Sequence, residues 1–207
     1  MGAISRFNIS QLKEKFNLSY FVETGTMNGD GVDYALQNGF DKIISIEIED
    51  TLVKRAREKY SKIPGVEIVH GDSSVVIIDI VNRLNGNALF WLDAHFPGAD
   101  AGVRPYSQCL EYSYNTRLPL EAEINSISSR RSQFNDVIIC DDLWVYKDGV
   151  YGAGEINEHC RKHNHNITKE QIAEGKTIQF AYDAFADTHE FKEIIDDQGY
   201  LIIYPKE

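Results

Sequence analysis

The sequence predicts an α/β fold, a doubly wound, mostly parallel sheet with helices on both faces and an antiparallel hairpin at its end. Three observations carry this. Five short apolar runs alternate with stretches of helical period between residues 20 and 140, the pattern of strands joined by crossover helices. The first run ends in a glycine-rich turn, Glu23-Thr24-Gly25-Thr26-Met27-Asn28-Gly29-Asp30-Gly31, that opens a helix. The last two runs, 189–195 and 200–204, flank Asp196-Asp197-Gln198-Gly199 and read as a β-hairpin. Right-handed crossovers limit how such strands can be ordered. Ligands of open sheets of this kind sit beyond the carboxyl ends of the strands.

The elements follow in order. Ile9, Leu12 and Phe16 recur at helical spacing and predict a short amphipathic helix ahead of strand one, residues 20–23. The helix after the glycine turn buries Val32, Ala35 and Leu36 and ends near Asn38-Gly39. Residues 42–48 are a buried, isoleucine-rich strand. Asp50 or Thr51 caps a helix with Leu52, Val53, Ala56 and Tyr60 on one face, and Pro64-Gly65 ends it. Strand three is 66–69, and His70-Gly71-Asp72 follows. Ser73 or Ser74 caps the next helix, with Ile77, Ile80, Val81 and Leu84 inward. Strand four is 88–92, ending at Asp93. After a helix with Leu120, Ile124 and Ile127 on one face, strand five is 137–140, ending at Asp141-Asp142. Residues 167–186 are mostly helical. Two stretches break the pattern, about 94–118 and 143–166. They are expected as irregular insertions in a single domain spanning 1–207; the first is rich in aromatic residues, which argues for a functional loop rather than a disordered one.

Composition narrows the function classes. The formal net charge of −11 and the lack of a basic stripe exclude a nucleic-acid-wrapping role. Residues 1–6 lack the apolar core of a signal peptide, and no run is long enough to span a bilayer. Cys109, Cys140 and Cys160 are odd in number and widely spaced, which fits a reducing compartment. The expectation is a cytoplasmic protein with a small-molecule partner, without nucleic acid or membrane, and with homo-oligomerisation open.

The spacing acid-x-Gly-x-x-x-Gly-x-Gly, Glu23 to Gly31, differs from the Gly-x-Gly-x-x-Gly dinucleotide fingerprint. It resembles the first motif of the class I S-adenosylmethionine-dependent methyltransferases. The resemblance covers residues 20–205 and implies a Rossmann-like seven-stranded sheet of order 3-2-1-4-5-7-6, which accounts for the terminal hairpin. It implies cofactor contacts from the turn (Glu23, Gly25, Thr26, Asn28, Gly29 and Gly31), from Glu47 to the ribose hydroxyls, from Asp72 and Ser73 near the adenine, and from Asp93. Asp72 has helix capping as an equal alternative. Glu23 is expected to orient the turn and to meet the cofactor's ammonium group.

Asp93-Ala94-His95 and Asp141-Asp142 end strands that are neighbours in this order. Three carboxylates in one cleft repel unless protons or a cation neutralise them, and hard oxygen ligands suit Mg²⁺ or another divalent cation. With the blocks Phe90 to His95, Pro119 to Ile124 and Val137 to Asp142, this is similar to metal-dependent, macrocin-type, sugar-modifying O-methyltransferases. The resemblance implies Asp93, Asp141 and Asp142 as metal ligands and transfer to a hydroxyl of a sugar or other vicinal diol. It places His95 where that group has a second acid, leaving His95 as the catalytic base or as a structural histidine. Two other functions stay open: metal-independent transfer to nitrogen or carboxyl acceptors, and cofactor binding without catalysis. Arg104, Tyr106, Tyr112 and Arg117 either line an acceptor pocket or pack. The polar segment His159-Cys160-Arg161-Lys162-His163-Asn164-His165 is expected as an exposed loop rather than a zinc site.

Overall fold

The computed structural model describes residues 3–163, 165 and 167–206; Met1, Gly2, Asn164, Asn166 and Glu207 lie outside them. The strands are β1 (Tyr20–Thr24), β2 (Ile43–Glu47), β3 (Val66–His70), β4 (Ala88–Leu92), β5 (Val137–Cys140), β6 (His189–Ile194) and β7 (Tyr200–Pro205). They form one sheet of order β3-β2-β1-β4-β5-β7-β6. Pairing is parallel from β3 to β5, and β7 joins β5 and β6 antiparallel. The expected order holds across the sheet, and the predicted strands lie within two residues of the observed ones.

Successive strand residues serve opposite faces, as a pleat requires. Val22, Phe90 and Ile138 pack with α4 (Ser73–Arg83), α6 (Leu120–Arg131) and α10 (Gln179–Phe185) through Ile77, Ile124 and Ala181. Phe21, Leu89 and Val137 pack with α1 (Ile9–Phe16), α2 (Asp30–Gln37) and α3 (Asp50–Tyr60) through Ile9, Val32 and Val53. Neither side can turn to water, so the central strands read as continuous apolar runs.

Register fixes the level of the site. Thr24 pairs with Ile46 and Leu92, and Leu92 with Cys140. Gly25, Glu47, Asp93 and Asp141 therefore leave the sheet side by side at its carboxyl edge. At the opposite edge Arg131 fills the gap. Its guanidinium donates to both Asp136 carboxylate oxygens and to the carbonyls of Leu84 and Gly86, and Asp136 Oδ1 accepts from the Ala88 amide at 2.7 Å.

Both insertions carry more structure than the sequence predicts. Residues 106–111 form a 3₁₀ helix and Tyr114–Arg117 a single turn, α5. In the second, Leu143–Tyr146 (α7) is followed by α8 (Ile156–Lys162), and α9 (Lys169–Ala173) comes next. Their apolar residues, Trp144, Ile156, Cys160 and Ile172, join the core on the α4 side, which is why short segments without a long hydrophobic period are ordered here. Asp72 takes the capping role that stood as its alternative: it, rather than Ser73 or Ser74, caps α4 by accepting from the Ser74 amide at 2.9 Å. The cap of α3 differs from expectation. Glu49 is the N-cap residue of α3, and it makes no side-chain cap.

Candidate cofactor cleft and acid–histidine centre

Above the carboxyl edge lies a cleft of about 470 Å³ lined by the glycine turn, Glu47, Asp72, Ser73, Asp93 and His95. A volume in this range suits a small ligand. At Gly29 φ is +82°, and a Cβ there would sit 2.2 Å from the Tyr60 hydroxyl. That hydroxyl shares its proton between the Gly29 carbonyl, 2.7 Å away, and the Asp33 carboxylate, 2.9 Å away. Gly31 is glycine for another reason: a Cβ would fall 1.9 Å from Glu23 Oε2. The turn is thus pinned from below by Tyr60 and packed on Glu23.

Glu23 is 2% exposed and accepts from the Ser45 hydroxyl at 2.6 Å, and Ser45 also contacts Thr26. Burial pushes its carboxyl up to about 8, with the Ser45 hydrogen bond opposing. Glu47 closes β2 with its carboxylate in a ring of main-chain donors: Oε2 accepts from Met27, and Oε1 from Ile48 and Glu49, each at 2.9 Å. Glu47 thus adds to the ties between the turn and β2, where the Gly25 and Thr26 amides also donate to the Ile46 carbonyl at 2.9 and 3.2 Å. Asn28 is exposed, and its side chain faces Arg55 at 3.3 Å. Ser73 is buried at the cleft wall. Behind it Glu123, 1% exposed, is pushed up to about 7 by burial; the Ser73 and Thr24 hydroxyls lower it in part, but neither oxygen has a well-formed hydrogen bond.

The acid–histidine centre lies where β4 and β5 end. His95 Nδ1 is 3.0 Å from the Asp93 carbonyl. Its Nε2 lies 3.0 Å from Asp142 Oδ2 and 3.1 Å from Asp100 Oδ2. One potential ligand atom from each of Asp93, His95 and Asp142 falls within 4.8 Å of the others. Asp141 stands beside this group: its Oδ1 accepts from the Asp142 amide at 2.8 Å, and its buried Oδ2 has no partner outside the acids. Asp142 Oδ1 is likewise buried and unpaired. Phe96 and Asp142 flank the centre with φ of +40° and +55°, an uncommon conformation for such residues and one that clusters at functional sites.

The charges explain each other. Burial, then the charge of Asp141, holds the Asp93 carboxyl well above the usual range. Burial, then Asp142, pushes Asp141 up to about 7, so both members of the Asp93–Asp141 pair hold a proton more readily than exposed carboxyls do. Burial opposes charge on His95, but Asp142 and Asp100 outweigh it and hold the imidazole well above its ordinary value, protonated. Burial would raise Asp100, yet His95 and the Tyr106 hydroxyl hold it at about 2. Asp100 has no sequence motif. Only its position in a glycine-flanked, aromatic loop pointed to it, and it was not among the expected site residues.

The second insertion corrects the sequence reading. The segment with His159 is helix α8 followed by a turn, not an exposed loop; Cys160 is 5% exposed, and His159 and His165 line the cleft. Trp144 meets His159 edge-on with ring centres 5.1 Å apart, and His165 stacks on Tyr106 at 4.2 Å. The signal was the i,i+4 pair Ile156 and Cys160, which marks one buried helix face. Of the four candidates in the first insertion, only Tyr106 lines the cleft. Arg104 is held by Glu49 at 2.5 Å and by Tyr112, while Arg117 is buried against Glu174 and the Tyr112 carbonyl.

No family model matches the sequence, and no curated protein matches it. Solved structures do match. The SAH-bound methyltransferase PaMTH1 of Podospora anserina superposes with a TM-score of 0.62 at 14% identity, covering 96% of this chain and 76% of its own. An O-methyltransferase of Bacillus cereus in complex with SAH gives 0.57 at 13% identity, covering 100% and 83%. The O-methyltransferase TomG of Streptomyces achromogenes, in complex with SAM, gives 0.53 at 12% identity, covering 100% and 82%. The fold of this chain is the one these methyltransferases share.

Proposed function

We propose that this chain is an S-adenosylmethionine-dependent O-methyltransferase acting on a hydroxyl of a sugar or other vicinal diol, assisted by a divalent cation. The observation that carries the reading is that the glycine turn, Glu47 and the acid–histidine centre all open into one cleft. The turn holds the methionine end of the cofactor and Glu47 its ribose, since Glu47 Oε2, which accepts only from the Met27 amide, keeps a lone pair for a ribose hydroxyl. The cofactor supplies a sulfonium methyl group. Asp93 adjoins both the turn and the centre: its carbonyl packs against Gly25 and lies 3.0 Å from His95 Nδ1.

The residues at the centre fit a cation. Asp142 Oδ1 is buried without a partner and Asp141 Oδ2 has none outside the acids, and carboxylate oxygens of this kind are costly unless something binds them. Asp93, Asp142 and either Asp141 or His95 would hold the ion, which would lower the pKa of an acceptor hydroxyl and neutralise the acids. His95 is the candidate proton acceptor. In the cluster as it stands its Nε2 is protonated, so it can take a proton only after releasing its own.

That same protonation favours a second reading: the His95 imidazolium already balances Asp142 and Asp100, and transfer needs no metal. Labelled methyl transfer from S-adenosylmethionine to a panel of diols, with and without EDTA, separates the two. Loss of transfer in EDTA, restored by Mg²⁺, is expected. Full activity in EDTA supports the second reading, and transfer only to amines or carboxyls contradicts O-methylation.

A further inference from the structure

The acceptor end of the cleft has a chemistry of its own. Its walls are Trp144, His159 and His165 from the second insertion and Phe96 and Tyr106 from the first, over Ile172. The ring contacts chain these walls together, Trp144 to His159, His159 to His165, and His165 onto Tyr106. Burial, then the neighbouring His163, lowers His159 and His165 below the ordinary histidine value, so both face the cleft as neutral rings that can donate or accept one hydrogen bond at each nitrogen.

The charged groups around the cleft are of one sign apart from His95. Carboxylates line it from the turn to the acceptor end, Glu47, Asp72, Asp93, Asp100 and Asp142 among them, and among the described residues no lysine or arginine does. The guanidinium of Arg104 is turned to Glu49 and Tyr112. Arg117 is turned to Glu174. His95 is the one cationic group at the centre, and Asp142 and Asp100 already flank it. Away from the cation, whose charge Asp93 and Asp142 would neutralise, an anionic group of the acceptor would lose its hydration against these walls and meet no lysine or arginine, and buried charge without a partner is strongly disfavoured.

We propose that this wall is the acceptor site and that it takes an uncharged hydroxylated ring, its flat face on Trp144, its edge toward the stacked Tyr106 and His165 rings, and a hydroxyl on His159 or His165. Carboxylated, phosphorylated, nucleotide-linked or coenzyme A-linked acceptors are refused. Specificity here comes from repulsion as much as from fit. The proposal rests on the methyltransferase reading and narrows its acceptor.

Matched pairs test it. Phenyl β-glucoside and phenyl β-glucuronide form one pair, catechol and protocatechuate the other. Each is titrated calorimetrically into the full chain saturated with S-adenosylhomocysteine and Mg²⁺. In each pair the neutral member should bind at least about tenfold more tightly. His159→Ala and Trp144→Ala should weaken the neutral members by about tenfold or more, with S-adenosylhomocysteine affinity unchanged. Retained cofactor binding shows that a variant is folded, and His159→Ala stands as the milder change if Trp144→Ala is not. Equal or tighter binding of the anionic members overturns the proposal. So does neutral binding that ignores both substitutions, or the absence of any acceptor binding to the cofactor-saturated protein. Failure of the cofactor itself to bind overturns the parent reading instead.

Discussion

Gly29 and Glu123 show how single positions carry the cleft. A side chain at Gly29 meets the Tyr60 hydroxyl before it meets any ligand, so Gly29→Val should damage the fold as well as the turn. The expected cost is about 1–3 kcal/mol from the positive φ alone, read by urea unfolding; unchanged stability with lost cofactor affinity would show a purely local effect. Glu123 should give a pH signature. Its folded value of about 7 stands above the 4.5 of an ordinary glutamate. Below the unfolded value both states hold the proton and Glu123 contributes nothing. Between the two values only the folded state keeps it, so stability falls as pH rises. The loss is complete above the folded value and reaches at most about 3 kcal/mol. Glu123→Gln should therefore be more stable than wild type at pH 8 and close to it at pH 4. Asp141, pushed up to about 7, has the same sign. Asp141→Asn in metal-free protein should gain stability at alkaline pH, where a capping role would cost about 1 kcal/mol at every pH.

At the scale of elements, the sheet edge away from the cleft depends on one ion pair. Arg131 and Asp136 join the ends of α4 and α6 to the starts of β4 and β5. Asp136→Ala leaves a buried guanidinium with two carbonyls and the Phe134 ring, 4.2 Å away, but no counter-charge, and should cost about 3–5 kcal/mol, with S-adenosylhomocysteine affinity retained by whatever fraction folds. A loss below about 1 kcal/mol would mean that the carbonyls suffice. The central strands β1, β2, β4 and β5 were legible in the sequence because each is a short apolar run buried on both faces, while the partly exposed edge strands β3 and β6 were legible from the Gly and Asp turns beside them. α7 and α8 were not. Each is too short to show a period, and α8 spends its polar letters on two surfaces, with Arg161 and Lys162 exposed while His159 faces the cleft. Of the site, the strand-end acids and His95 were legible because the sheet order brings β4 and β5 together. Asp100 was not, since its contact with His95 depends on how an insertion folds back.

The carboxyl edge of the sheet carries a cluster of acids, Glu47, Asp72, Asp93, Asp100 and Asp142 among them. Formal net charge is −11, and a carboxylate-lined cleft suits a sulfonium cofactor while repelling anions. Among the described residues no helix is long and apolar enough to cross a membrane. The sheet order makes the cleft continuous from the glycine turn to the acid–histidine centre, so cofactor binding is the property on which every other function proposed here depends. Titration of S-adenosylmethionine into the purified chain by calorimetry tests it most directly. One site per chain should appear, weakened about tenfold or more in Glu47→Ala, with no heat from NAD. Absence of binding to the folded wild-type protein, or equal affinity in Glu47→Ala, would contradict the account.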